Sequence, residues 1–177
     1  MQSFDFKKYK LDLFIILGFV VLSLIYCYPQ LQGKVLFQGD IVSWKGAARE
    51  AMAYHDSTGK NTLWTNSMFG GMPTYTIYVP ENTNYIANIQ HVLTLVGKPA
   101  YFLFIAMLCF FILMRTLNVN KWLAVVGAIA YAFSTYNIEL IIAGHETKLF
   151  ALDYLPAVIA GFLLLYSQKW CTGIPLF

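Results

Sequence analysis

Sixteen consecutive residues without a charge, "LFIILGFVVLSLIYCY" from Leu13 to Tyr28, constrain this chain more than any other feature. Three further apolar runs follow: "AYFLFIAMLCFFILM" (Ala100–Met114), "WLAVVGAIAYAFSTYNI" (Trp122–Ile138) and "LFALDYLPAVIAGFLLLY" (Leu149–Tyr166), the last broken only by Asp153. A helix that crosses a bilayer needs about 17–25 residues, a length each run reaches with its polar and aromatic flanks. Hydrocarbon offers no water to backbone N–H and C=O groups, so each run is predicted as a helix despite its Ile, Val and Phe content. Charged residues make up 12% of the chain, against about 25% in soluble domains. Aromatics reach 17%, and Tyr and Trp collect at membrane–water boundaries.

The expected fold is an all-α integral membrane protein with about four spans, at 13–28, 99–117, 122–140 and 149–166. Short loops place Lys7, Lys8 and Lys10 before the first span, Arg115 and Lys121 between the second and third, and Lys169 after the fourth. Alternating spans put all of these on one side, the cytoplasm by the positive-inside rule. Residues 1–12 and 167–177 are then cytoplasmic, while the long loop 29–98 and the short loop 141–148 face outward. No small-x-small cleavage site follows the first run, and Tyr26 stands before Cys27 where a lipoprotein site needs a small residue. The run is therefore read as an uncleaved anchor. Cys27, Cys109 and Cys171 lie far apart in apolar surroundings and read as packing residues, with no zinc or disulfide pattern. A scattered net charge of +3 leaves no footprint for nucleic acid.

In the long outer loop, "DIVSWKGAAREAMAYH" predicts an amphipathic helix at about 40–55 lying along the membrane, with Trp44, Ala47, Ala48, Ala51, Met52 and His55 on one face. Asp40 suits its N-cap. A carboxylate there can also take a proton from an acceptor hydroxyl, and the two roles are compatible. Arg49 offers a planar fork for a phosphate or simply meets solvent beside Glu50. In "AGHETKLFALDYLP", His145, Glu146 and Lys148 cluster at the outer end of a span, with Glu139 and Asp153 near the membrane boundary. Ionisable groups at such depth are costly and point to function. His145 and Lys148 share a helix face if the fourth helix begins early. They then hold a lipid phosphate with Glu146 orienting one of them, or else merely mark the interface. Gly70 and Gly71 in "FGGMPT" form either a structural turn or a nest of N–H groups for an anion. The sequence requires no cofactor, and no second clustered acid supports a divalent metal at Asp40.

Three stretches, "GKVLFQGDI", "REAMAYHDSTGKNTLWTNSMFGGMPTY" and "AGHETKLFALDYLPAVIAGFLLLY", together resemble the start of a YfhO-type bacterial membrane protein, particularly the forms found in Bacteroidetes. That resemblance implies a fold of the GT-C class, with many spans and a large first outer loop on the membrane. It also implies an enzyme of the bacterial cytoplasmic membrane that moves a sugar from a polyprenyl-phosphate donor to a cell-envelope glycopolymer. In that class an acid of the first outer loop is typically the base, and Asp40 in "QGDI" occupies the matching place. The resemblance implies a protein of several hundred residues, so the chain is expected to be an N-terminal fragment or a truncated gene product, ending as a further helix starts near Gly173. The competing expectations are a non-catalytic transporter or flippase-like subunit handling lipid-linked material, and a purely structural fragment.

Overall fold

The structure, a computed structural model, describes residues 6–78 and 87–167. Cys171, Lys169, Gly173 and nearly all of the predicted 167–177 tail lie outside them, as do the side chains of Lys7 and Lys8. The described chain is mostly helical: α1 (Phe6–Tyr26), α2 (Tyr28–Leu31), α3 (Gly39–Thr58), α4 (Ala87–Leu93), α5 (Ala100–Thr116), α6 (Lys121–Ala132), α7 (Thr135–Ala143) and α8 (Glu146–Tyr166). A two-residue hairpin pairs β1 (Trp64–Thr65) with β2 (Met72–Pro73) antiparallel, Trp64 facing Pro73 and Thr65 facing Met72. Helix α8 is long and apolar enough to cross a membrane by itself. Two bent pairs meet the same test jointly, residues 90–96 with α5 across a 119° bend, and α6 with α7 across a 43° bend.

Helix α5 forms the centre. Phe102, Leu103, Ile105 and Met107 are almost wholly buried there, and a helix apolar on every side is one that is covered on every side. Helix α1 meets it along Ile15, Phe19 and Ser23, spaced four apart as one helical face requires. Phe19 meets Phe111 edge-on at 5.8 Å. The opposite face of α1, with Leu13, Phe14, Leu17 and Val21, is exposed. Helix α6 approaches through Ala124, Ala128 and Ala132, each fully buried; small side chains at that spacing let two helix backbones come close.

The predicted third span, 122–140, is divided rather than continuous. Ser134 takes extended backbone angles, φ −59° and ψ 143°, and begins α7. At the break Asn137 Nδ2 donates to Tyr131 O at 3.1 Å, beside the Ser134 amide that meets the same carbonyl at 3.3 Å, so the end of α6 is doubly tied. Helix α8 contains Pro156, which has no N–H to give to the carbonyl four residues back. That carbonyl belongs to Leu152, and the Tyr131 hydroxyl donates to it at 2.8 Å. Asp153 departs from its expected place at the boundary: it is 1% exposed, and neither carboxylate oxygen has a partner among the described residues.

Candidate functional site

Two motifs about a hundred residues apart meet at one end of the bundle. The stretch "FQGDI" opens α3, and "AGHET" forms the elbow between α7 and α8. Gly144 ends α7 with φ +95°, a left-handed conformation that glycine adopts without cost. It also has no room for a side chain, since a Cβ there would lie 2.9 Å from Gln38 Cβ and 3.0 Å from Ile41 Cγ1. The amides of Gly144 and His145 both bond Leu140 O, which leaves Ile141 O without its usual helical donor. Gln38 Nε2 supplies one at 2.5 Å.

This contact sets the position of Asp40. Gln38, not Asp40, is the N-cap residue of α3, with φ −127° and ψ 113°. Asp40 therefore sits inside the first turn, where its charge complements the positive end of the helix. Its Oδ2 lies 2.9 Å from His145 Nδ1, and both side chains are about half exposed, at 49% and 55%. Oδ1 has no partner among the described residues. The carboxylate is thus held from one side by an imidazole and open on the other.

The remaining predicted residues are distributed differently from expectation. Helix α8 does begin early, at Glu146, with His145 at its N-cap. Glu146, however, pairs with Lys98 just before α5 instead of orienting His145 or Lys148. The Lys148 ammonium lies 5.1 Å above the Tyr136 ring on α7, a cation–π placement. Arg49 is exposed and nine residues beyond Asp40. At about 100° per residue, it projects from the opposite side of α3.

Glu50 and the two glycines belong to a separate construction. Glu50 Oε2 accepts from the Thr65 hydroxyl and from the amides of Asn66 and Ser67, each at 3.0 Å. The Thr65 bond foremost, with the two amides adding to it, holds the Glu50 carboxyl below the ordinary glutamate range. Trp44 Nε1 donates to Ile77 O at 2.5 Å, and His55 meets Tyr78 at 6.4 Å. The α3 face expected to lie on the membrane is therefore clasped in part by segment 62–78. Gly70 and Gly71 have φ +73° and +123°, and Gly71 lies against the Trp64 indole with no space for a Cβ. The Gly71 amide bonds Met68 O at 2.8 Å, so the turn itself uses a donor that an anion nest would need.

Two clefts flank the extended segment 34–38. One, of about 510 Å³, is lined by Lys34, Lys45 and Lys98 together with Gln38 and apolar side chains including Ile41 and Val42; Asp40 and His145 are not among its lining residues. The other, of about 280 Å³, is lined mainly by apolar residues including Tyr26, Leu103, Ile138 and Ile142. Lys34, Val35, Leu36 and Pro99 line both. A size of roughly 300–1,000 Å³ is usual for a ligand pocket. Among the described residues no three His, Cys, Asp or Glu side chains gather as metal ligands would.

Sequence reasoning missed Gln38, Gln30 and the lysines of the cleft. Gln30 donates to Val96 O at 2.9 Å and accepts from the Ala100 amide at 3.1 Å, which caps α5. Gln30 follows a proline and Gln38 precedes the glycine that opens α3, signals too common to single out. Comparison with family models, with curated proteins and with solved structures returned no match for this chain.

Proposed function

We propose that this chain is the N-terminal part of a bacterial inner-membrane glycosyltransferase of the GT-C class, with four spans and a cytoplasmic amino terminus. Helices α1, α5, α6 with α7, and α8 are the four spans in this reading. The reaction is transfer of a sugar from a polyprenyl-phosphate donor to a hydroxyl of a cell-envelope polymer outside the membrane. The observation that supports the reading is the half-exposed Asp40–His145 pair on α3, the helix whose Ile41, Val42 and Lys45 help line a cleft that joins apolar walls to three lysines.

Asp40 is the base. As the acceptor oxygen attacks the anomeric carbon, its proton passes to the Asp40 carboxylate. The bond from that carbon to the donor's phosphate oxygen breaks, and the polyprenyl phosphate leaves with the electron pair. His145 is the positioning residue that fixes the carboxylate through Nδ1. Lysine ammonium groups meet the phosphate as point charges. In this reading Lys34 and Lys45 meet it from the cleft they line, and Lys98 joins them once its pairing with Glu146 opens. Lys148, above the Tyr136 ring, and Arg49, on the far side of α3 from Asp40, have no role in this reading. The apolar clefts take the first isoprene units.

Sugar transfer from a synthetic polyprenyl-phosphate donor, measured in membranes of the intact protein, tests this. Lys45→Ala and Lys34→Ala are expected to raise the donor KM with little change in kcat. Unchanged donor KM in the double variant would refute the placement of the phosphate.

A further inference from the structure

From Asn61 to Tyr78 the chain carries no charged residue. This stretch folds back on itself through β1 and β2 and is clasped to α3 by Glu50, by Ser67 Oγ donating to Ala47 O at 3.3 Å, and by Trp44. Thr74 Oγ1 donates across its base to Thr62 O at 2.5 Å. The hairpin is thus fixed, and its tip, Met68 to Met72, contains no side chain able to give a strong hydrogen bond. Phe69 at the tip is 88% exposed and has φ +53°, a left-handed conformation unusual for a bulky residue. Leu63 and Tyr75 nearer the base are 81% and 71% exposed.

We propose that this hairpin is an interfacial anchor whose Phe69 tip enters the headgroup–acyl boundary of the leaflet next to it. Its chemistry follows the depth profile of that boundary. The purely apolar tip suits acyl chains, whereas Trp64, Tyr75 and the Thr and Asn residues of the base carry polar handles suited to the headgroup layer. Charge is absent from the whole stretch, which removes the main cost of insertion. A helix long and apolar enough to cross a bilayer belongs to the same chain, which gives the hairpin a lipid surface to meet. The fixed hairpin displays its apolar tip without an ordering step on contact. The inference does not depend on the sugar-transfer reading.

The test uses the intact protein with Cys27, Cys109 and Cys171 replaced by Ala, reconstituted in nanodiscs of phosphatidylcholine and phosphatidylglycerol. An environment-sensitive dye is attached at Phe69→Cys or, as a water-facing reference, at Lys60→Cys. Phe69 is so exposed that the label displaces little packed structure. Lipids bearing a nitroxide at a shallow acyl position should quench the dye at 69 several-fold more than at 60, and dissolved iodide should do the reverse. Equal iodide quenching at both sites would overturn the proposal. So would shielding of position 69 from both quenchers, since protein rather than lipid would then cover the tip.

Discussion

The hydrogen bond from Tyr131 to Leu152 gives a prediction whose size follows from the geometry. Pro156 leaves Leu152 O without its helical donor, and the Tyr131 hydroxyl supplies the replacement at 2.8 Å. Tyr131→Phe removes the hydroxyl and little else, leaving a carbonyl unpaired between α6 and α8. Leaving a buried acceptor unsatisfied costs about 1–3 kcal/mol in water-soluble proteins. Bonds between helices in bilayers average about 0.6 kcal/mol, with a maximum near 1.7. A carbonyl already stripped of its intrahelical partner belongs at the upper end of that range, so Tyr131→Phe should cost about 1–1.5 kcal/mol. Pro156→Ala restores an N–H at position 156 and with it the helix's own bond. In that background the cost of Tyr131→Phe should largely vanish, a coupling of similar size. Reversible unfolding in mixed micelles of rising denaturing-detergent fraction measures all four proteins. An equal loss from Tyr131→Phe in both backgrounds would refute the argument.

Gly144→Ala should loosen the junction of α3 with the α7–α8 elbow, because the position has φ +95° and the added Cβ meets Gln38 and Ile41. A cost of roughly 1–3 kcal/mol is expected for the strained backbone alone, readable in the same unfolding assay and as faster proteolysis before α3. The Glu50 clasp should depend on acid. Its carboxyl titrates lower in the fold than in the unfolded chain, so its contribution is present above about pH 4.3 and is lost as pH falls through the lowered folded value. Hydrogen exchange in segment 62–78 should therefore rise at the acid end of that window, whereas Glu50→Gln should exchange faster at neutral pH and show a flatter response.

The helices were legible because long, almost wholly apolar runs pair their backbone groups most simply as helices, and α5 and α8 lie close to the predicted 99–117 and 149–166. The division of 122–140 was less so. Ser134 and Asn137 are ordinary inside apolar helices, and it is their shared bonding to Tyr131 O that marks the joint. Asp40 and His145 were both conspicuous as ionisable residues near apolar runs, yet their pairing was not. No periodicity connects residue 40 with residue 145; the contact exists because Gly144 lacks a side chain and Gln38 reaches Ile141 O. The N-cap assignment failed for the same reason. Asp40 is the better capping residue in isolation, but tertiary contact fixes Gln38 at the cap and frees the carboxylate for His145. Lys148 was chosen for its three-residue spacing from His145 and Arg49 for its planar fork of donors, but in the fold one lies over Tyr136 and the other projects from the far side of α3.

The most direct test of the account is sugar transfer by Asp40→Asn in the intact protein, set beside donor binding and thermal stability. The amide keeps the side chain's shape and a contact to His145 but can no longer accept the acceptor's proton. The account predicts turnover reduced by about 10²–10⁴-fold, with donor affinity unchanged and stability altered by no more than about 1 kcal/mol, as for an exposed ion pair. Near-normal turnover in Asp40→Asn would contradict it and favour a protein that handles lipid-linked material without chemistry. A variant that only unfolds would also contradict it, assigning Asp40 to the α3 junction alone.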